Sequence, residues 1–383
     1  MIERILKVSI LESLSYFPAV CILGPRQSGK TTLAKHIIES YESSIYLDLE
    51  LDSDLEKISD PEFYLKRHSN KLVCLDEIQR LPEIFPLIRA LIDQNRTAAR
   101  FLFLGSASQD LLKQSTESLA GRISYHELTP FTNLEIIKDY PQENHWNNGG
   151  FPDSFFAPTQ KISTEWRENF IRTFLERDLA VLDINLSTPM MKRFWVMIAH
   201  NHSGMINKNA ISNSLGVSSP TVQRWQDILE KTFMIRVLRP YFKNTKKRLV
   251  KSPKIYIRDS GVLHQLLRLQ DMEEVLSHSI AGASWEGYAI ENLLSSMPDW
   301  EPSFYRTSNG AEIDLILEKG VRKIAVEFKI SSSPKIEKGT YIAMDDLNID
   351  LIHVITPNGS GEQISRHVRI DSIFTFLNKY KDQ

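Results

Sequence analysis

The sequence predicts an α/β protein: a parallel sheet built on a phosphate-binding loop, then a helix-turn-helix module, then a second and smaller α/β domain. Three stretches carry that prediction. "AVCILGPRQSGKTTLAKHII" runs apolar strand, glycine-bounded loop, helix. "INKNAISNSLGVSSPTVQRWQDILEK" has two helical periods broken at a glycine. "AEIDLILEKGVRKIAVEFKIS" alternates apolar and charged residues on both sides of a short turn, the pattern of a hairpin. At 383 residues the chain is long enough for two or three domains with separate cores.

The composition is that of an ordinary globular protein, 42% hydrophobic and 25% charged, with a formal net charge of −2. That balance selects neither for nor against nucleic acid, because a local patch matters more than the sum. Cys21 and Cys74 each sit in an apolar strand-like run and read as reduced core residues, the pattern of a cytoplasmic protein. The opening "MIERILKVSILESL" lacks the apolar core of a secretory signal, and no run reaches the length needed to span a bilayer. No membrane association is expected.

The first element, residues 19–23, enters a loop of the form G-x-x-x-x-G-K-[ST]: Gly24, Pro25, Arg26, Gln27, Ser28, Gly29, Lys30, Thr31, followed by Thr32. The two glycines let the backbone curl so that its N–H groups point at phosphate oxygens. Lys30 reaches the β- and γ-phosphates of ATP, the Thr31 hydroxyl ligates Mg2+, and the helix that follows adds its positive end. "KLVCLDEIQ" is a second buried strand with Asp76 and Glu77 at its C-terminal end, the edge at which open α/β sheets hold ligands. Asp76 is the magnesium-side carboxylate and Glu77 the base that orients the attacking water. In "RFLFLGSAS", Ser106 is placed to sense the γ-phosphate or simply to begin a turn. In "LAGRIS", Arg122 is the candidate for an arginine lent to the site of a neighbouring subunit.

"GPRQSGKTTL", "LDEIQRLPEIFPLIRALID", "FLFLGSAS" and "LAGRISYHELTPFTNLEI" together resemble the prokaryotic AAA+ family ATPases that carry a C-terminal domain of unknown function. The resemblance continues through "RTFLERDLA", "LEKTFMIRVLRPY" and "PKIYIRDSGVL", over most of the chain. It implies ATP binding and hydrolysis by an oligomerising AAA+ module, here residues 1–150, and no settled biological role.

Residues 151–194 read as a helical connector and 195–258 as a winged helix-turn-helix. The first helix, 208–215, stops at Gly216. Ser218 or Ser219 caps the second at Pro220. Thr221, Gln223, Arg224 and Gln226 lie between core positions Val222, Trp225 and Leu229, which suits a probe of the DNA major groove. From Arg236 to Arg258 the chain carries Arg236, Arg239, Lys243, Lys246, Lys247, Arg248, Lys251, Lys254 and Arg258 without an acid among them. Such a field attracts a phosphate backbone, and DNA is the expected partner. The open alternative is a module for protein contacts.

In residues 259–383, Glu312 and Asp314 share one face of their strand, and Glu327 and Lys329 share one face of theirs. With Leu317 opposite Ile324, Asp314 falls across from Glu327, while Ile313, Leu315, Ile324 and Val326 fill the far side. Two carboxylates and a lysine suit metal-dependent phosphodiester chemistry. The order helix, strand, hairpin, helix, strand resembles the PD-(D/E)xK nuclease family. Asp314 matches its first acid, Glu327-Phe328-Lys329 its E-x-K, and Glu286 its helical glutamate; Ile313 stands where the signature has proline. The resemblance implies that Asp314, Glu327 and Glu286 ligate magnesium and that Lys329 serves catalysis. A buried ion-pair cluster in an inactive domain that binds partners is the other reading.

Overall fold

The computed structural model describes residues 2–106, 119–179, 187–242, 249–331 and 333–381. The chain forms two compact units: residues 1–131 with 231–233, and residues 132–230 with 234–383.

The N-terminal unit is a parallel five-stranded sheet. Its strands are β1 (Ala19–Leu23), β2 (Ser44–Asp48), β3 (Leu72–Asp76), β4 (Phe101–Gly105) and β5 (Ile123–Glu127), in the order β2-β3-β4-β1-β5. The three central strands are buried on both faces, so they read as unbroken apolar runs. Successive side chains feed opposite layers. Val20, Ile22, Cys74, Leu102 and Leu104 pack with Ile10 and Leu14 of α1 (Leu6–Tyr16) and Leu33 and Ile37 of α2 (Lys30–Ile38). Cys21, Leu23, Val73, Leu75 and Phe103 pack with Ile88, Leu91 and Ile92 of α3 (Phe85–Gln94). Both cysteines are free and buried. Because every strand runs the same way, the ends of β1, β3 and β4 deliver the phosphate loop, Asp76 and Ser106 to one edge.

The C-terminal unit begins at Thr132, not at 150 as the sequence suggests. The reason is polar: Asn133 N–H donates to Asn292, and Trp146 Nε1 donates to Ser284 Oγ at 2.9 Å. Both acceptors lie on α8 (Ala281–Ser296), deep in this unit. Its first half holds α4 (Gln160–Thr173), α5 (Thr188–His200), α6 (Lys208–Leu215) and α7 (Ser219–Lys231), then the antiparallel pair β6 (Ile235–Leu238) and β7 (Lys254–Ile257). The turn between α6 and α7 is the expected one. Gly216 is left-handed at φ 68°, and Ser218 Oγ accepts from Thr221 N–H.

The second half is a six-stranded sheet, order β12-β13-β11-β10-β9-β8. Its strands are β8 (Glu301–Arg306), β9 (Glu312–Lys319), β10 (Arg322–Phe328), β11 (Ile352–Ile355), β12 (Ser360–Ser365) and β13 (Val368–Asp371). One face packs on α8 and α10 (Ile373–Tyr380), the other on α9 (Lys338–Leu347). The β9–β10 register is the anticipated one, Leu317 opposite Ile324. The strand faces differ from strict alternation, however. Against β8 the register slips between Ser303 and Tyr305, inserting one extra β9 residue between Ile313 and Ile316. Such a bulge re-aims side chains. Ile313 therefore joins the α9 layer while Leu315 joins the α8 layer.

The outer edge of β8 is not bare. Phe304 N–H donates to Arg239 O, Tyr241 N–H to Phe304 O at 2.8 Å, and Val250 N–H to Arg306 O. The segments flanking the β6–β7 pair thus cover an edge that would otherwise present unpaired backbone groups.

Candidate active site

In the N-terminal unit the loop after β1 folds as its glycines require. Gly24, at φ 156°, lies so close to Leu128 that a Cβ would come 2.1 Å from its carbonyl oxygen. Gly29 is left-handed at φ 93° and caps α2. Lys30 is buried and its ammonium donates to Gly24 O at 3.0 Å and Pro25 O at 2.8 Å, curled over the loop it serves. Burial pushes its pKa down to about 8, although Glu77 and Asp76 pull the other way. Arg26 pairs with Glu50 at 3.1 Å; Gln27 and Thr32 are exposed.

Asp76 is buried and central. Oδ2 accepts from Thr31 Oγ1 at 2.6 Å and from Tyr46 OH at 2.7 Å, while Oδ1 accepts from Glu77 N–H. Hydroxyl and carboxylate oxygens beside a phosphate loop are the hard donors magnesium takes, so the Thr31–Asp76 pair fits the ion. Glu77 stands in a left-handed backbone conformation at φ 53°. Gln79 Nε2 donates to its carboxylate and to Ser106 Oγ, and Ser106 Oγ donates to Glu77 Oε2 at 3.3 Å. Arg122 makes a two-point pair with Asp93 at 2.6 and 3.0 Å.

Sequence reasoning missed three residues here. They are Tyr46, Gln79 and Arg4. Arg4 is buried and donates to Ser28 O at 2.8 Å and Thr129 O at 2.5 Å, bracing the loop from outside. No spacing in the sequence links Arg4 to residues 24 and 125 positions away.

The C-terminal unit gathers the four predicted residues, with a fifth among them. Asp314 lies beside Glu327. Lys329 Nζ lies 3.5 Å from Glu327, and Asp314 Oδ2 accepts from Phe328 N–H. The unforeseen member is Lys254 of β7. Its ammonium is 3.3 Å from Glu286, 3.1 Å from Glu312 and 3.1 Å from Asp314. Lys254 is 4% exposed, and Tyr256, two residues along the same strand face, donates to Glu286 at 2.6 Å. Burial opposes the charge on Lys254, yet the three carboxylates hold its pKa above that of an ordinary lysine. Burial and the neighbouring Asp314 push Glu327 up to about 9, so it is neutral at pH 7. Burial and Asp314 likewise raise Glu286, to about 7, against the pull of Lys254.

This donor set does not fit a divalent ion as arranged, because an ammonium stands at the shared oxygens. Among the described residues no group of three or more His, Cys, Asp or Glu is placed to hold a metal.

The cationic segment also differs from expectation. Arg236 and Arg258 both turn inward onto Glu291 of α8, at 2.7 and 2.5 Å. Burial disfavours the Glu291 charge, but the two guanidinium groups hold its pKa down to about 2. With Lys254 also engaged, Arg239 and Lys251 are the exposed cations of the segment among the described residues. Lys243, Lys246, Lys247 and Arg248 lie outside the described residues. On α7, Arg224 is exposed and Thr221 and Gln223 half-buried, but Gln226 is buried on the core side beside Trp225 and cannot probe a groove.

Comparison with known proteins follows the same divisions. Residues 16–137 match the AAA domain family, 141–273 a domain of unknown function (DUF8612) and 281–373 another (DUF4143). The uncharacterized protein Rv2008c of Mycobacterium tuberculosis is 38% identical over 340 residues, which is 89% of this chain and 76% of that protein. The uncharacterized protein Mb2031c of Mycobacterium bovis matches to the same extent. Among solved structures, the Walker-type ATPase PABY2304 of Pyrococcus abyssi is 18% identical with a TM-score of 0.51, over 70% of this chain and 96% of that one. At that identity it shows the fold alone. No helix among the described residues is long and apolar enough to cross a membrane.

Proposed function

The chain belongs to the family of the two mycobacterial proteins and carries an AAA domain with a C-terminal domain of unknown function, and from that premise we propose that it hydrolyses ATP to drive the engagement of DNA by its C-terminal half. Lys30 and the N–H groups of residues 24–31 hold the phosphates. Thr31 and Asp76 would hold magnesium, which would supply positive charge to offset the charge developing on the phosphates. Glu77 orients the attacking water and accepts its proton. In this state Glu77 is bonded to Gln79 and Ser106. Ser106 thereby joins the base to the end of β4, where a γ-phosphate would be felt. An arginine from a second subunit, with Arg122 as the candidate, would have to leave Asp93 first. The helix-turn-helix half reads as a winged helix, with Thr221, Gln223 and Arg224 of α7 as its outward face to DNA.

The observation that carries the ATPase part is the Thr31–Asp76–Tyr46 cluster at 2.6 and 2.7 Å beside a buried Lys30. Glu77→Gln should keep ATP binding and slow turnover by roughly 10²- to 10³-fold; unchanged turnover would remove Glu77 from the role of base. For DNA, Arg224→Glu should weaken binding of a duplex and flatten its dependence on salt.

A second reading has one observation in its favour. Arg236, Lys254 and Arg258 face acids of their own unit. That suits a nucleotide-switched regulatory ATPase whose nuclease-like domain binds protein partners. On this reading DNA leaves both turnover and stability untouched.

A further inference from the structure

We propose that Lys254 is the cation this acid cluster is built to hold, so that the nuclease-like domain works without a metal and its carboxylates dock the β6–β7 pair instead of cutting a strand.

The geometry is that of a filled site. One ammonium meets three carboxylates drawn from two elements, Glu286 of α8 and Glu312 and Asp314 of β9, all within 3.3 Å. Three oxygens match its three N–H donors. Phe304 adds its ring face at 5.6 Å. Arg306 takes the other oxygen of Glu312 at 3.1 Å, and Tyr256 shares Glu286 Oε1 with the ammonium. A divalent ion would bind the same oxygens at roughly 2.0–2.6 Å. It cannot coexist there with an ammonium of like charge, so metal would have to expel a side chain that is almost wholly buried.

A second set of contacts, independent of the acid cluster, points the same way. Arg236 and Arg258 clamp Glu291 farther along α8. The backbone that follows β6 and the backbone that precedes β7 both add to the outer edge of β8, at Arg239–Tyr241 and at Val250. His202, which accepts from Ile257 N–H at 3.0 Å, lies so close to α8 that a Cβ on Gly287 would come 2.1 Å from its Nε2. The pair is therefore seated on the domain along its whole length. Lys254 is the cationic point of that seat.

The test is a titration of the full-length protein with Mn2+, without nucleotide, followed by the electron paramagnetic resonance signal of the free ion. The wild type should take up no ion at this site, whereas Lys254→Met should gain one Mn2+ per chain that Asp314→Asn removes. Lys254→Met should also melt roughly 5–10 °C lower than the wild type, with millimolar Mn2+ restoring most of the loss. A wild-type chain that binds one Mn2+ and loses it with Asp314→Asn overturns the proposal. So does a folded Lys254→Met protein that gains no ion. If that variant does not fold, the wild-type titration decides alone, and an ion that survives Asp314→Asn sits elsewhere and leaves the proposal standing. Neither DNA nor ATP enters the measurement, so its outcome is separate from that of the proposed function.

Discussion

Lys30 shows how burial and chemistry are tied at a single residue. Its ammonium is held by two carbonyl oxygens in a desolvated loop, and its pKa falls to about 8. A polyphosphate favours the charged form, so binding above pH 8 must bring a proton with it. Calorimetry in buffers of different ionisation enthalpy should find uptake of close to one proton per ATP at pH 9 and much less at pH 7. Equal uptake at both would show that Lys30 keeps its charge in the empty site. The phosphate loop and both acids of β3 could be read from the sequence because the motif is contiguous and its mechanism fixes the spacing. Tyr46 and Arg4 could not. Each reaches the site from a remote element, and nothing local distinguishes a phenol that bonds Asp76 from one that only packs.

At the scale of elements, alternation narrowed the β9–β10 register to shifts of two residues, because a one-residue slip would turn an apolar face to water, and the pairing of Leu317 with Ile324 is one of those left open. The bulge that sends Ile313 and Leu315 to different layers was not, since it depends on how β8 pairs. The β6–β7 pair is the plainest failure of local reasoning. A run of cations without acids looked like a phosphate-binding surface, yet three of them meet acids that lie 32 to 60 residues further on. Glu291 gives this packing a pH signature. Its folded pKa of about 2 is below the usual 4.5, so its contribution is complete above pH 4.5 and is lost as pH falls through about 2. The loss is of order 3 kcal/mol. Acid unfolding monitored by tryptophan fluorescence should therefore be flatter between pH 4.5 and 2 in Glu291→Gln than in the wild type. Parallel curves would mean that the two arginines do not hold the charge.

For the whole molecule, the proposed function couples an ATPase unit to engagement of DNA by α7 of the C-terminal half. The fold of the first unit was foreseeable because buried parallel strands announce themselves as apolar runs. The division of the rest was not, because Asn133 and Trp146 commit their segment to α8 through single hydrogen bonds. The most direct measurement is steady-state ATP turnover of the wild type with and without duplex DNA at low salt. DNA should raise turnover several-fold, added salt should abolish the increase, and Arg224→Glu should lose it while keeping the DNA-free rate. Turnover that ignores DNA at every salt concentration would contradict the proposed function.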